Sequence, residues 1–143
     1  MAEGPPKTVL MADDDVEDCW LATEAFAESG AKAALSCVLD GAQLMSYLKE
    51  HSRSEAQRLP DLILLDLNMP GKDGREALIG IRSDPALQHI PIVILTTSEE
   101  PEDADLTLKA GAELFITKPA TFSEWVEMMR SLAERWIQLK TED

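Results

Sequence analysis

Short apolar runs alternate along the chain with longer segments in which apolar residues recur every three or four positions. The runs have the length and composition of buried β-strands, whereas the longer segments have the period of an amphipathic helix. Strands are predicted at residues 7–12, 33–39, 62–66, 92–95 and 114–117. Helices are predicted at residues 15–29, 42–50, 73–82, 102–110 and 121–139.

This alternation of strands and helices predicts an α/β fold, in which a parallel sheet is covered by helices on both faces. The runs at 62–66 and 92–95 are almost continuously apolar, as strands are when both of their faces are buried. The chain contains no internal repeat, linker or low-complexity stretch. Residues 1–143 are therefore predicted to form a single domain with no appended output domain.

Composition and charge narrow the range of functions. The chain has 143 residues and a net charge of −14, which argues against nucleic-acid binding, because such binding needs a basic surface. No apolar run approaches the roughly 18 residues of a membrane span. The amino-terminal segment lacks the pattern of a secretory signal, so a cytoplasmic location is predicted. The two cysteines form no CxxC pattern, which argues against a disulfide framework.

Polar residues follow four of the predicted strands at their carboxyl ends. In an open parallel sheet these ends meet at one edge, where ligands bind. The fold is therefore expected to gather Asp13, Asp14, Asp66, Asn68, Thr96 and Lys118. Taken singly, each type has a simpler explanation: an acid or a threonine caps a helix or forms a turn, and a lysine is a surface charge. The common edge is what favours a shared site.

Three carboxylates at one edge repel one another, by roughly 4 kcal/mol for a pair about 4 Å apart at an effective dielectric of about 20. A lysine and a hard divalent cation would offset that repulsion, and all-oxygen ligands suit Mg²⁺ or Mn²⁺ rather than zinc. A metal ion beside a lysine and a threonine is the equipment of phosphoryl transfer, in which charge on the phosphoryl oxygens is neutralised. Asp66 is then the predicted nucleophile, and it would form an acyl phosphate.

The segments MADDD, LLDLNMPGKDG, ILTTS and ITKP, in this order and each at a strand end, resemble the motifs of response-regulator receiver domains. The resemblance covers nearly the whole chain. It implies a flavodoxin-like, doubly wound sheet of five parallel strands in the order 2-1-3-4-5, flanked by five helices. It also implies a phosphoacceptor that takes a phosphoryl group from a phosphohistidine of a sensor histidine kinase or phosphotransfer protein. Such a signalling domain is not an enzyme in the usual sense, since it catalyses only its own phosphorylation and dephosphorylation.

The resemblance gives a role to each polar residue at the shared edge. Asp66 is implied to be the phosphoacceptor, and Thr96 and Lys118 are implied to bind the phosphoryl group. The implied ligands of Mg²⁺ or Mn²⁺ are Asp13, Asp14, Asp66 and the backbone carbonyl of Asn68.

Thr96 and Phe115 are implied to form a switch. Thr96 moves toward the phosphoryl group and Phe115 enters the vacated space, which reshapes the face made by the fourth helix, the fifth strand and the last helix. The family commonly has tyrosine at the position of Phe115, so in this chain no hydroxyl group can report the state. Pro119 is expected to follow a cis peptide bond.

The segments DPALQHIP and LTTSEEPED resemble stand-alone receivers that serve phytochromes, which implies a bacteriophytochrome as a candidate sensor kinase. The last predicted helix carries two adjacent apolar stripes, together wider than a surface helix needs. A deeply seated helix would explain this width, but a dimer or partner surface, through which a homodimer forms, is favoured. His51 and His89 lie in loops or at helix ends, so the donor histidine is expected to come from another protein. Trp20 is expected to pack on a neighbouring helix, with an anchor for a kinase partner as the alternative.

Two other functions use the same topology. An aspartate-nucleophile phosphatase has a second acid two residues after the nucleophile, whereas the segment DLNMP has none. A flavin or nucleotide binder has a glycine-rich or hydroxyl-rich phosphate loop after the first strand, where this chain has three aspartates. Both alternatives therefore rank below the receiver domain.

Overall fold

The computed structural model describes residues 6–54, 58–69 and 74–139, and within these ranges the chain forms five strands and five helices that alternate as predicted. The strands are β1 (Lys7–Ala12), β2 (Ala33–Val38), β3 (Leu62–Leu65), β4 (Ile92–Thr96) and β5 (Leu114–Thr117). The helices are α1 (Val16–Glu28), α2 (Gly41–Arg53), α3 (Gly74–Ser83), α4 (Pro101–Lys109) and α5 (Phe122–Trp136). Residue 73, the predicted start of the third helix, lies outside the described residues.

The strands of the sheet run parallel in the order β2-β1-β3-β4-β5, which confirms the predicted order. Strand β1 pairs with β2 on one side and with β3 on the other, so the direction in which strands are added to the sheet reverses at β1. In a doubly wound sheet a ligand crevice opens at the carboxyl ends of the strands beside such a reversal. The residues that follow β1 and β3 therefore lie at this crevice.

Strand residues alternate between two apolar cores, because successive side chains of a strand point to opposite faces of the sheet. Leu10 and Ile63 pack with residues of α2 and α3 on one face. Met11 and Leu64 pack with residues of α1 and α5 on the other face. Every residue of β3 and β4 is buried, so both faces of the central strands are covered and the positions of their carboxyl ends are fixed by packing.

Helix α1 begins close to the end of β1 because Asp15 caps it. Asp15 Oδ1 accepts hydrogen bonds from the backbone N–H groups of Glu17 and Asp18, at 3.0 and 3.2 Å. These bonds satisfy two N–H groups of the first turn that have no partner within the helix. Only Asp13 and Asp14 separate the strand from the cap, which holds both acids at the crevice.

Two helix ends differ from the prediction by three residues, whereas the other ends agree to within one residue. Helix α2 continues to Arg53 rather than to residue 50, because His51 Nδ1 contacts the Tyr47 carbonyl at 2.8 Å and the two rings stack at 3.8 Å. Helix α5 ends at Trp136 rather than at residue 139, since the chain beyond it pairs with the segment before β2. There Leu139 forms an isolated antiparallel bridge with Ala31.

The side chains that α1 and α5 bury differ in part from those expected. Trp20 is 63% exposed, so the expectation that it packs on a neighbouring helix was wrong. The residues that α1 buries are mostly small, which places the helix close to the sheet and leaves Trp20 on the solvent side: Cys19, Ala22, Ala25 and Phe26. Helix α5 buries members of both predicted stripes, Trp125 among them, and leaves Phe122 44% exposed. Among the described residues, no helix has the length and apolar character needed to cross a membrane.

Candidate active site

Three carboxylates meet at the crevice and are called here the acid cluster: Asp13, Asp14 and Asp66. One carboxylate oxygen from each residue lies within 4.8 Å of one from each of the other two. Asp13 and Asp66 are buried and Asp14 is exposed. The backbone N–H of Asp13 bonds the Val38 carbonyl, and the N–H of Asp66 bonds the Ala12 carbonyl, both at 3.0 Å. Strand pairing therefore continues into both residues and brings their carboxylates together.

The amino group of Lys118, which follows β5, lies among these acids. Lys118 Nζ is 2.7 Å from Asp13 Oδ2 and 3.5 Å from Asp66 Oδ2. It is also 2.7 Å from Oδ2 of Asp18, a residue of α1. Burial alone lowers the pKa of a lysine, but the contacts with Asp13 and Asp18 outweigh it and raise the pKa of Lys118. Lys118 is therefore a protonated cation that offsets part of the negative charge.

Asp13 is the most deeply buried of the three acids, and its side chain is fully shielded from solvent. Burial raises the pKa of Asp13 from 3.8 to about 6, although the Lys118 ammonium and the backbone N–H of Asp15 both act to lower it. Asp13 Oδ1 accepts the Asp15 N–H at 2.9 Å. Asp13 Oδ2 lies 2.7 Å from Lys118 Nζ, so the two groups form a buried ion pair.

The residues of the acid cluster fit a divalent cation. The cluster offers oxygen ligands, which are the ligands of Mg²⁺ and Mn²⁺. Asp13 and Asp66 are buried, where excess negative charge is costly unless cations offset it. The exposed carboxylate of Asp14 leaves one side of the cluster open to solvent. The backbone carbonyl of Asn68 stays a predicted ligand.

The connection after Asp66 is unusually close to the following helix. Asp66 Oδ1 accepts the backbone N–H of Asn68 at 3.2 Å, and the Gly74 N–H bonds the Leu67 carbonyl at 3.2 Å. A Cβ atom on Gly74 would lie 2.7 Å from Leu67 Cα and would overlap the Asp66 carbonyl oxygen. Glycine is therefore required at the start of α3, since any side chain would displace the backbone that carries Asp66.

Thr96 and Phe115, the predicted switch residues, lie on adjacent strands. Thr96 ends β4 and is fully buried, and its hydroxyl accepts the Ser98 N–H at 3.4 Å. The Thr96 carbonyl accepts the Lys118 N–H at 2.7 Å, which ties the ends of β4 and β5 together. Phe115 pairs with Ile94 in the register of these strands, and its partly buried ring packs on the core beneath α2 and α3.

A hydrogen-bonded link joins the loop after Thr96 to two helices. Asp103, in the first turn of α4, accepts the Ser98 hydroxyl at 2.6 Å and the Arg75 guanidinium of α3 at 2.6 Å. The Ser98 hydroxyl and the Arg75 guanidinium together lower the pKa of Asp103. The Ser98 carbonyl accepts the Thr117 hydroxyl at 3.2 Å. The loop that follows Thr96 is thus connected to α3, α4 and β5.

Sequence reasoning missed one charged residue of this site and misjudged one peptide bond. Asp18 bonds Lys118 but belongs to a helix, so the pattern of polar residues at strand ends did not indicate it. Among the described residues no peptide bond is cis, so the bond before Pro119 is trans, the form that X–Pro bonds intrinsically favour.

The two histidines lie far from the acid cluster. His51 and His89 line one cavity of about 520 Å³ together with Pro60 and Pro91, which precede β3 and β4. They are therefore at the amino edge of the sheet, opposite the edge that carries the acid cluster. Neither histidine is placed to pass a phosphoryl group to Asp66 within the same chain.

Fold and site together define a class of protein. A doubly wound parallel sheet with clustered aspartates, a lysine and a threonine at its carboxyl edge is the arrangement of a phosphoryl-accepting receiver domain. The sequence model of the family described as the response regulator receiver domain matches residues 9–130, so the chain belongs to that family. Receiver domains take phosphoryl groups from histidine kinases and bind Mg²⁺ or Mn²⁺ at an acidic pocket. The protein is a response regulator of two-component signalling, and this match does not favour the phosphatase alternative.

Relatives agree along almost the whole chain. The response regulator Rcp1 of Synechocystis sp. is 34% identical over 96% of this chain and 93% of its own length. The phosphorylated cyanobacterial phytochrome response regulator RcpA superposes with a TM-score of 0.82 at 38% identity, covering 92% of this chain and 94% of that one. The Mn²⁺-bound form of Rcp1 superposes with a TM-score of 0.81 at 33% identity, covering 96% and 99%. The chain therefore resembles stand-alone, phytochrome-associated regulators in sequence and in fold.

Proposed function

We propose that Asp66 is the phosphoacceptor of this response regulator. The observation that carries the proposal is the position of the Lys118 amino group, 2.7 Å from Asp13 and 3.5 Å from Asp66 within one buried cluster. Asp13 and Asp66 both lie beside this lysine, but the Asp66 side chain keeps 6% of its surface exposed, so a donor can reach it. The carboxylate of Asp13, by contrast, is fully shielded from solvent.

The reaction is a displacement at phosphorus. A carboxylate oxygen of Asp66 attacks the phosphorus atom of a phosphohistidine, a P–O bond forms, and the P–N bond to the histidine breaks. The histidine nitrogen leaves with the bonding electron pair and is protonated from solvent. Lys118 holds one phosphoryl oxygen by charge, and the Thr96 hydroxyl donates a hydrogen bond to another. The domain catalyses its own phosphorylation and dephosphorylation and has no other substrate.

Mg²⁺ or Mn²⁺ would be held by Asp13, Asp14 and Asp66, together with the backbone carbonyl of Asn68. When bound, the cation supplies positive charge that neutralises the phosphoryl oxygens. The oxygen-only ligand set and the burial of Asp13 and Asp66 support this assignment. The chain's own part is to keep the carboxylates together, with Lys118 offsetting the excess charge.

The switch proposed for Thr96 and Phe115 follows from their places on β4 and β5. A phosphoryl group on Asp66 brings about −1.5 to −2 charges and three acceptor oxygens to the crevice. Thr96 gives up its contact with the Ser98 N–H to reach one of those oxygens, and the partly buried Phe115 ring moves into the space. The surface of α4, β5 and α5 changes with it.

The donor is a sensor histidine kinase or a phosphotransfer protein, because both histidines of this chain lie at the opposite edge of the sheet. Similarity to the cyanobacterial phytochrome response regulator RcpA supports a phytochrome as the sensor, and the proposed sensor is a bacteriophytochrome. The net charge of −14 supports protein partners rather than nucleic acid or an anionic membrane surface. Phosphohistidine is made from ATP, so the protein acts in the cytoplasm.

A homodimer through the α5 region is also proposed. Phe122 is 44% exposed at the start of α5. Val126, one turn later on the same side of the helix, is only partly buried. An exposed aromatic ring beside a half-buried aliphatic side chain is the kind of surface that a second copy of the chain covers in an isologous contact.

Phosphorylation with acetyl phosphate and Mg²⁺ tests the role of Asp66. Wild-type protein should gain one phosphate that hydroxylamine removes, as it removes acyl phosphates, and Asp66→Asn should gain none. Borohydride reduction of the wild-type product should convert residue 66 to homoserine. The matched control is Asp105→Asn, which removes the same charge from an exposed position of α4 and should be phosphorylated normally. Hydroxylamine-sensitive phosphate on Asp66→Asn would overturn the assignment.

A further inference from the structure

Asp18 holds the amino group of Lys118 from a different element of the fold. Lys118 Nζ donates a hydrogen bond of 2.7 Å to Asp18 Oδ2, across 100 residues of the chain. The Lys118 side chain is 7% exposed and that of Asp18 is 20% exposed, so solvent screens the pair only in part. An acid in the first turn of a helix is favoured by the helix dipole, but the dipole does not account for a directed bond to the lysine of the site.

The geometry around the amino group shows what this bond does. Nζ is 2.7 Å from both Asp13 and Asp18, and 3.5 Å from Asp66. A lysine ammonium has three N–H donors. Lys118 donates a directed hydrogen bond to Asp18 and also forms an ion pair with Asp13. Asp18 therefore fixes the direction of the ammonium and leaves an N–H free to serve a group on Asp66.

We propose that Asp18 is a positioning residue for phosphoryl transfer, which holds the Lys118 ammonium at the acid cluster ready for a phosphoryl oxygen. The proposal rests on the proposed function of Asp66. Asp18 does not contact the reacting atoms and acts through Lys118 alone. A charge held in place before the reaction stabilises the transition state more than the bound donor, so the effect falls on the rate of transfer and not on donor binding.

The rate of phosphorylation by acetyl phosphate, measured at increasing donor concentrations in Mg²⁺, tests this. Asp18→Ala should lower the maximal rate constant by about tenfold, the effect of one charge-assisted hydrogen bond, with an unchanged half-saturating concentration. The rate constant of Asp18→Asn should lie between those of the wild type and Asp18→Ala, because the amide oxygen still accepts the lysine N–H. Glu17→Ala is the matched control, since it removes an exposed acid from the same turn of α1 and should leave the rate unchanged.

A double-mutant cycle distinguishes positioning from a merely structural role. If Asp18 acts through Lys118, adding Asp18→Ala to Lys118→Ala should slow the reaction no further. Thermal unfolding of each variant is measured without Mg²⁺, to show that the variant is folded. If Asp18→Ala fails to fold, Asp18→Asn takes its place.

The outcomes separate this inference from the proposed function. Wild-type protein that takes no phosphate on Asp66 would remove the proposed function itself. Wild-type protein that is phosphorylated normally, with Asp18→Ala equally fast, would overturn the role of Asp18 alone. The positioning role is also excluded if Asp18→Ala slows the reaction as much without Lys118 as with it.

Discussion

Gly74 lies directly against the backbone of Asp66, so that the first residue of α3 and the proposed phosphoacceptor touch through main-chain atoms. A side chain at position 74 would meet the Asp66 carbonyl and Leu67 Cα. The glycine that closes the segment LLDLNMPGKDG therefore has a steric role. It allows α3 to begin where it can pack on the sheet without moving the carboxylate.

Gly74→Ala should destabilise the fold, because the methyl group would have to displace backbone rather than a flexible side chain. We expect the free energy of unfolding in urea to fall by more than about 2 kcal/mol. Gly80→Ala is the control within the same helix, since its Cβ would lie 3.9 Å from Met45 Cε. That variant should be neutral or gain about 0.5–1 kcal/mol from better helix propensity. Equal effects at the two positions would contradict the steric argument.

Mg²⁺ should stabilise the folded chain, because the cation binds the assembled acid cluster and not the unfolded chain. At a concentration of about 100 times its dissociation constant, the gain is about 2.7 kcal/mol. Asp14→Asn should reduce the rise in melting temperature that Mg²⁺ causes. Asp105→Asn, which makes the same change in net charge at an exposed site on α4, should respond as the wild type does. Asp14 is not a ligand if its variant and the control behave alike.

Stability in metal-free buffer should depend on pH through Asp13, whose pKa burial raises from 3.8 to about 6. The folded chain holds this proton more tightly than the unfolded chain does. The contribution of Asp13 is therefore complete below about pH 4 and is lost as the pH rises through about 6. Between about pH 4 and pH 7, the wild type should lose at most about 3 kcal/mol relative to Asp13→Asn. Urea unfolding in EDTA measures this, and parallel curves for the two proteins would exclude the raised pKa.

Association of the 15.8 kDa chain should be visible in sedimentation equilibrium as a mass that rises with concentration toward twice that of the monomer. Phe122→Glu places a charge on the exposed start of α5 and should keep the protein monomeric. Ile79→Glu places the same charge on α3, where the side chain is 57% exposed, and should leave association unchanged. A monomer mass for the wild type at every concentration would remove the dimer.

The sequence was most informative where position along a strand decides position in space. Asp13 and Asp66 could be placed together because each follows an apolar run, and parallel strands bring such ends to one edge. Asp18 could not be foreseen, because its contact with Lys118 depends on how α1 rotates against the sheet. The exposure of Trp20 depends on the same rotation. Helix ends were missed where a local contact, such as that of His51 with Tyr47, extends the helix beyond its apolar period.

Asp103 accepts hydrogen bonds from Ser98 and Arg75 at the same time. These bonds restrict how the loop that follows Thr96 can move. The loop cannot move independently of the two helices. A displacement of the loop must either move the first turn of α4 and the start of α3 with it or break a short hydrogen bond to the Asp103 carboxylate. A partner protein that binds α3 would therefore respond to a conformational change at the carboxyl end of β4 without contacting that strand.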